Sequence, residues 1–136
     1  MPDIGIVTCM ELPEPDLDEQ IQLEALQSVG AHASLVAWDD PDQDLAKYDA
    51  IVLRSCWDYP WKEQLFRQWI DRAENAVKII NPPEMVRWNL HKRYLIDLQD
   101  AGVPVVPTRL LPIGAGPEDL VRCLDDLSCQ KFVIKP

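Results

Sequence analysis

The sequence predicts an α/β fold with a mostly parallel, doubly wound sheet, because strand-like and helix-like patterns alternate along the chain. Short apolar runs typical of buried strands occupy residues 4–7, 33–38, 50–53 and 78–80. Helical periodicity fills much of the sequence between and after these runs. A chain of 136 residues is long enough to bury a core in one domain and to add a short further piece.

Two helices are predicted in the first half of the chain. Asp16 can cap the first helix, and Gly30 suits its end. The apolar positions of this helix are Ile21, Leu23, Ala25, Leu26 and Val29. The second helix is predicted over residues 61–76. Its apolar face carries Leu65, Trp69, Ile70 and Ala73.

The second half begins with Asn81-Pro82-Pro83-Glu84, which ends a strand and starts a helix, because proline suits the first helical position. Asn89 is predicted to cap the helix that follows, and Gly102 to end it. The apolar positions of that helix are Leu90, Tyr94, Leu95 and Leu98. A stiff extended segment, a helix and a last strand are then predicted over residues 103–107, 117–127 and 131–136.

The charge of the chain argues against two classes of partner. The net charge is −10 and the isoelectric point is about 4.5, whereas nucleic acids and anionic membranes require clustered Lys and Arg. A local basic island of Arg87, Lys92 and Arg93, with His91, interrupts this acidic background. The sequence has neither a long apolar run nor a secretory signal pattern, so we expect a cytoplasmic location.

Several kinds of catalytic or metal site are not expected. The four cysteines have no CxxC spacing and only two histidines accompany them, so we expect free thiols and no zinc site. The glycine patterns of phosphate-binding and dinucleotide-binding loops do not occur, and no serine or cysteine triad is evident. We therefore assign no catalytic residue within the chain.

The segment RSCWDYPW, residues 54–61, is the first candidate site, because ligands bind beyond the carboxyl ends of parallel strands. Arg54 would open the loop after the third strand and could bind a carboxylate or phosphate. Alternatively, it is a surface arginine paired with Asp58 or Glu63. The three aromatic side chains of the segment either stack on a ligand or cover the end of the sheet. They are Trp57, Tyr59 and Trp61.

Two lysines form the second candidate site. Lys92 lies near the start of the helix that Asn89 is predicted to cap, where backbone N–H groups favour an anion. A solvated helix face is the alternative explanation for this lysine. Lys135 lies in the apolar segment FVIKP, where a charged group needs a partner or access to water.

The whole pattern resembles the N-terminal part of ATP-grasp carboxylate–amine ligases, which include glutathione synthetase-like and ribosomal-protein glutamyl-ligase-like enzymes. Within them it is most similar to the subgroup that contains the cycloserine-ring-forming ligase. The resemblance is carried by VAWDDPDQDLAKYDAIVLRSCWDYP, NPPEMVRWNLHKRYLIDLQDAGVPVVPT and FVIKP. It implies a Rossmann-like pre-ATP-grasp domain over residues 1–106 and the first β-α-β unit of a truncated ATP-grasp domain over residues 107–136.

The resemblance also implies roles for individual residues. Lys92 and Lys135 match lysines that reach the phosphates of ATP, and two ammonium groups there would offset the triphosphate charge. Arg54 would hold a substrate carboxylate, and Trp57 and Tyr59 would line the same pocket. The complete protein would use ATP and Mg²⁺ to join a small carboxylate to an amine through an acyl phosphate.

The segments that bind Mg²⁺ and cover the phosphates in such ligases have no counterpart in the 136 residues. We therefore expect the chain alone to be inactive and to bind neither ATP nor Mg²⁺ stably. We expect more protein to follow residue 136, and residues 108–136 to be disordered or to pair with a second copy in a homodimer. The alternative function is a stand-alone α/β module that binds a small anion or regulates, without ATP chemistry.

Overall fold

A sheet of four parallel strands is the centre of the computed structural model, which describes residues 1–12, 14, 16–127 and 131–135. The strands are β1 (Asp3–Thr8), β2 (His32–Ala37), β3 (Ala50–Ser55) and β4 (Lys78–Ile80). Their order in the sheet is β2-β1-β3-β4, and each neighbouring pair is parallel. The predicted α/β fold with a mostly parallel sheet is therefore confirmed.

Five α-helices and one 3₁₀ turn complete the described elements. They are α1 (Asp18–Ser28), the 3₁₀ turn Tyr59–Trp61, α2 (Glu63–Ala76), α3 (Pro83–Leu90), α4 (Tyr94–Asp100) and α5 (Pro117–Leu127). Helix α5 has the predicted bounds, and Pro83 begins α3 as predicted. The chain divides into two compact units, Met1–Arg87 and Trp88–Pro136. The functional boundary predicted between residues 106 and 107 stays a prediction.

The core of the first unit lies where α2 packs on the sheet. Val7, Val36 and Ile51 are buried on the three longer strands. Gly5 permits close packing there, because a Cβ atom at this position would lie 3.0 Å from Cγ2 of Ile51. The buried residues of α2 are Phe66, Trp69, Ile70 and Ala73. Their spacing of three and four residues places them on one face of the helix.

The prediction for α2 was wrong at one residue. Leu65 was placed on the apolar face, but its side chain is 58% exposed, whereas Phe66 is 2% exposed. Position 66 lies three, four and seven residues before Trp69, Ile70 and Ala73, so it shares their helix face. Position 65 lies five residues before Ile70, which is not a same-face spacing. The helix also begins at Glu63 rather than at residue 61, because the 3₁₀ turn occupies Tyr59–Trp61.

The prediction for α1 was wrong in part of its apolar face. The helix begins at Asp18, and the carboxylate of Asp16 accepts the backbone N–H of Asp18 at 2.9 Å, which is the kind of hydrogen bond expected of a capping side chain. Ile21 and Val29 are exposed, and no residue of α1 is fully buried. The predicted end at Gly30 is confirmed, since this glycine has a positive φ of 85° that suits the residue after a helix.

The second unit differs from prediction in two places. Asn89 lies inside α3 and does not cap a helix, because the chain turns at residues 91–93 before α4 begins. Within α3 and α4, the rings of Trp88 and Tyr94 are in contact with centroids 5.4 Å apart and planes tilted by 59°, and the Trp88 indole donates to Asp97 at 3.0 Å. The predicted last strand is absent over the described residues 131–135. A strand needs a hydrogen-bonded neighbour, and an apolar run does not supply one.

We expect Phe66→Ala to lower the free energy of unfolding by about 3–5 kcal/mol, because it empties a buried site between α2 and the sheet. Leu65→Ala is the matched control, since the neighbouring side chain is exposed, and its effect should stay within about 0.5 kcal/mol. Urea denaturation of both variants measures the difference. Equal losses would contradict the assignment of the apolar face.

Candidate binding site at the carboxyl edge of the sheet

A crevice site is expected where the chain order reverses across the sheet. Strands β2 and β3 lie on opposite sides of β1, so the carboxyl ends of β1 and β3 form a topological switch point. Thr8 and Cys9 end the β1 side of this edge, and Ser55 and Cys56 end the β3 side. Cys9 Sγ lies 3.6 Å from the carbonyl oxygen of Ser55, so the two ends are in direct contact.

Arg54 lies inside β3, at a β-bulge. Val7 pairs with Leu53, but Thr8 pairs with Ser55, so Arg54 is the extra residue on β3. Bulges re-aim side chains and are frequent beside binding sites. The Arg54 guanidinium is 3.0 Å from Oδ2 of Asp18, in the first turn of α1.

Two predictions about Arg54 were therefore wrong. The residue does not open the loop after the strand, because β3 continues to Ser55. Its ion-pair partner is Asp18 and not Asp58 or Glu63. A partner 36 residues away cannot be identified from local spacing, because only the folding of the chain brings Asp18 of α1 to the side chain of Arg54 in β3.

Asp16 connects the segment before α1 to the end of β3. Its carboxylate accepts a hydrogen bond from the hydroxyl of Ser55, which is fully buried. The pKa of Asp16 lies below its usual value, because its carboxylate is stabilised by hydrogen bonds from the Ser55 side chain and the Asp18 backbone. The positive charge of Arg54 and a hydrogen bond from the Trp57 side chain act in the same direction. Asp16 thus carries a negative charge at the switch point at neutral pH.

A cluster of ion pairs and hydrogen bonds holds the segment RSCWDYPW in place. We call it the Lys62 cluster, and it consists of Trp38, Asp39, Asp58 and Lys62. The Lys62 ammonium lies 2.6 Å from Asp58 Oδ2 and 2.9 Å from Asp39 Oδ2. The indole N–H of Trp38 donates to the other oxygen of Asp58 at 2.8 Å. The backbone N–H of Met10 donates to Asp39 at 2.7 Å, so the cluster also fixes the segment after β1.

Two charged groups of the Lys62 cluster, Lys62 and Asp39, have shifted pKa values. Hydrogen bonds to Asp58 and Asp39 raise the pKa of Lys62 above its usual range. Burial acts to raise the pKa of Asp39, but the hydrogen bonds from Lys62 and the Met10 backbone outweigh it and hold this pKa below 3.8. Lys62 and Asp39 are therefore both charged at neutral pH.

The aromatic residues of RSCWDYPW divide into packed and exposed side chains. Tyr59 stacks on Phe66, with ring centroids 5.5 Å apart, and so belongs to the cover of the sheet end. Trp57 is 54% exposed and Trp61 is 75% exposed. Of the two alternatives from the sequence, packing thus describes Tyr59, while Trp57 and Trp61 present indole surface to solvent. The proposed roles of Trp57 and Tyr59 in a substrate pocket stay predictions.

Lys92 and Lys135 both belong to the second unit, whereas Arg54, Trp57 and Tyr59 belong to the first. Lys92 lies in the turn between α3 and α4 and is half-buried, not in the first turn of a helix capped by Asn89. Lys135 is exposed, and the described residues around it do not form the expected strand. A shared role in phosphate binding stays a prediction for this pair.

The thiols at the sheet edge are not activated nucleophiles. Burial and the charge of Asp58 raise the pKa of Cys9, and burial raises that of Cys56 further. Both are therefore protonated at neutral pH, and only the thiolate is reactive. The expected free thiols are confirmed for Cys9, Cys56 and Cys123. Cys129 lies outside the described residues.

A cavity that was not predicted from the sequence lies at the carboxyl ends of β1 and β2. It has a volume of about 620 Å³ and belongs to the first unit. Its lining consists of Thr8, Cys9, Met10, Leu12, Glu19, Leu35, Ala37, Asp40 and Gln43. Glu19 belongs to an acidic block over residues 11–19, and Asp40 belongs to another over residues 39–44. Such blocks are typical of a solvated surface, so no local signal marks the two residues as neighbours.

The described residues contain neither a metal-binding cluster nor a membrane-spanning helix. No group of three or more His, Cys, Asp or Glu side chains among them is arranged to hold a metal ion. None of the helices built from those residues combines the length and apolar character needed to cross a membrane.

Comparison with known proteins identifies relatives of this chain. The family model described as "D-cycloserine synthetase DcsG, N-terminal domain" matches residues 4–81, which is more than half of the chain. The cycloserine biosynthesis protein DcsG of Streptomyces lavendulae is 35% identical over 125 residues, covering 89% of this chain and 41% of that protein.

A solved structure gives the same result. The crystal structure of D-cycloserine synthetase DcsG matches with a TM-score of 0.78 and 32% identity, over 91% of this chain and 42% of that one. The chain thus spans about two fifths of the length of both relatives. The resemblance to the cycloserine-ring-forming subgroup, inferred from the sequence, is confirmed.

We expect Asp39→Asn to lower the free energy of unfolding by about 1 kcal/mol at pH 7, because Lys62 loses one ionic partner in a partly solvated cluster. The folded state holds the pKa of Asp39 below 3.8, so this contribution is present above that pH and is lost as the pH falls through the folded value. Urea denaturation from pH 7 to about pH 2 should show the two proteins converging in acid.

Asp42→Asn is the control for this measurement, because Asp42 is an exposed residue outside the cluster. Its stability should track that of the parent chain at every pH. A constant difference between Asp39→Asn and the parent across the whole range would contradict the ionic origin of the effect.

Proposed function

Because the chain belongs to the family of the D-cycloserine synthetase DcsG N-terminal domain, we propose that it forms the substrate-side part of an ATP-dependent ligase. The match of this family over residues 4–81 carries the proposal. The ligase would join a small carboxylate to an amine or similar nucleophile. In this proposal ATP phosphorylates the carboxylate, the nucleophile attacks the acyl phosphate, and ADP and phosphate leave.

The placement of Arg54 supports a substrate role for the sheet edge. The bulge in β3 turns its guanidinium toward the first turn of α1, and the ion pair with Asp18 uses Nη2. A guanidinium has five N–H donors in a planar fork, so a substrate carboxylate can share it with Asp18. Trp57, three residues further along the chain, is 54% exposed and presents apolar indole surface to solvent.

Lys92 and Lys135 would supply the nucleotide side of the site. Two ammonium groups beside a triphosphate offset its charge and stabilise the charge that develops on the transferred phosphoryl group. Mg²⁺, when bound with ATP, would offset part of the negative charge of the phosphates. Its ligands are not assigned to this chain. We propose that the 136 residues alone bind neither ATP nor Mg²⁺ stably and are catalytically inactive.

The proposal is tested by comparing the 136-residue chain with the product of the complete gene that encodes it. Release of ADP is measured with ATP, Mg²⁺, amino acids of both chiralities as carboxylate donors, and hydroxylamine as the trapping nucleophile. The complete product should release ADP and form a hydroxamate, and the 136-residue chain should do neither. A stand-alone anion-binding module predicts no ADP release from either protein, and that result would overturn the proposal.

Variants of the complete product test the residue roles. We expect Lys92→Ala and Lys135→Ala each to lower kcat/KM for ATP about 100-fold, because each removes a charge that stabilises the transition state. Lys131→Ala is the matched control, since it removes an exposed lysine from the same segment. Arg54→Ala should raise KM for the carboxylate and leave KM for ATP within twofold. Loss of ATP affinity in Arg54→Ala would contradict its assignment to the substrate.

A further inference from the structure

The cavity between the carboxyl ends of β1 and β2 carries polar atoms without partners. Oγ1 of Thr8 and Oε1 of Glu19 are both buried, and neither has a hydrogen-bond partner among the described residues. Both residues line the cavity, and Thr8 is 6% exposed. A buried oxygen that makes no hydrogen bond destabilises a fold, because it loses its hydrogen bonds to water and gains none within the protein. Two such atoms at one cavity indicate that a partner from outside the chain satisfies them.

The charge of the lining indicates the class of that partner. The ionisable acids of the lining are Glu19 and Asp40, and the lining includes no Lys, Arg or His. One carboxylate oxygen of Asp40 accepts the backbone N–H of Asp42, which fixes the position of its side chain. Gln43 adds an amide. The site therefore offers hydrogen-bond acceptors and negative charge, which a cationic donor complements.

The remaining lining residues favour an organic cation. Met10, Leu12 and Leu35 give the cavity apolar walls beside its acidic groups. A primary ammonium group has three N–H donors, which match Glu19, Thr8 and a third acceptor on Asp40 or Gln43. A short aliphatic chain attached to that ammonium would lie against the apolar walls.

We propose that this cavity binds the ammonium group of a small primary amine, with Glu19 and Thr8 as its principal contacts. The inference deepens the proposed function and rests on it only for the role of the amine as a ligase substrate. Arg54 and Trp57 do not line the cavity. The amine site and the proposed carboxylate site thus lie on different parts of the carboxyl edge of one sheet.

The test is an NMR titration of the 136-residue chain with propylammonium, using 1-propanol as its uncharged counterpart. Propylammonium should bind with a Kd of about 1 mM and should shift the backbone amides of Thr8, Glu19 and Gln43. Propanol should produce less than a tenth of that binding. Equal binding of both ligands, or shifts confined to other parts of the chain, would overturn the inference.

Three variants refine the titration. Glu19→Gln removes the charge and keeps the shape of the side chain, and it should weaken propylammonium binding at least tenfold. Thr8→Val should weaken it about threefold, and Asp42→Asn, outside the cavity, should leave it within twofold. Unchanged binding in Glu19→Gln would overturn the assignment. If a variant fails to fold, the comparison of propylammonium with propanol in the parent chain still decides the outcome.

The failure of this inference is distinguishable from failure of the proposed function. The titration needs neither ATP nor turnover, whereas the proposed function is tested by ADP release from the complete gene product. If the complete product releases ADP but propylammonium does not bind, only the proposed amine site is wrong. If propylammonium binds but no ADP is released, the amine site is supported and its role in a ligase is wrong.

Discussion

The ammonium of Lys62 between the carboxylates of Asp39 and Asp58 is the interaction on which the carboxyl edge of the sheet depends. These residues come from the segment after β2, the segment after β3 and the residue before α2. One charge thus joins three parts of the chain. An exposed ion pair would contribute little, but the two carboxylates here are mostly shielded from solvent and each accepts a further hydrogen bond.

The position of the aromatic side chains follows from this cluster. Asp58 accepts the indole N–H of Trp38, whose ring packs edge-on against Phe66 with centroids 5.0 Å apart. Tyr59 stacks on the same phenylalanine, so Phe66 connects the segment after β3 to the core of α2. The segment RSCWDYPW is therefore rigidly placed by its Asp and Tyr, and this leaves Trp57 and Trp61 facing solvent.

The same edge separates two chemical environments. The β-bulge in β3 directs the Arg54 guanidinium toward Asp18, while Thr8, Glu19 and Asp40 line a cavity beside β1 and β2. A carboxylate suits the first environment and an ammonium suits the second. The proposed ligase chemistry requires both kinds of group, and a sheet whose order reverses at β1 offers both at neighbouring strand ends.

The sequence by itself determined the α/β class, the approximate strands, the bounds of α5 and the relationship to the cycloserine ligase subgroup, because these depend on local periodicity and on contiguous motifs. It could not determine that Phe66 rather than Leu65 is buried, that Arg54 is bulged toward Asp18, or that Thr8 and Glu19 share a cavity. Tertiary structure decided these features. Periodicity assigns a side chain to a face, but contacts between residues tens of positions apart depend on how strands pair and helices pack.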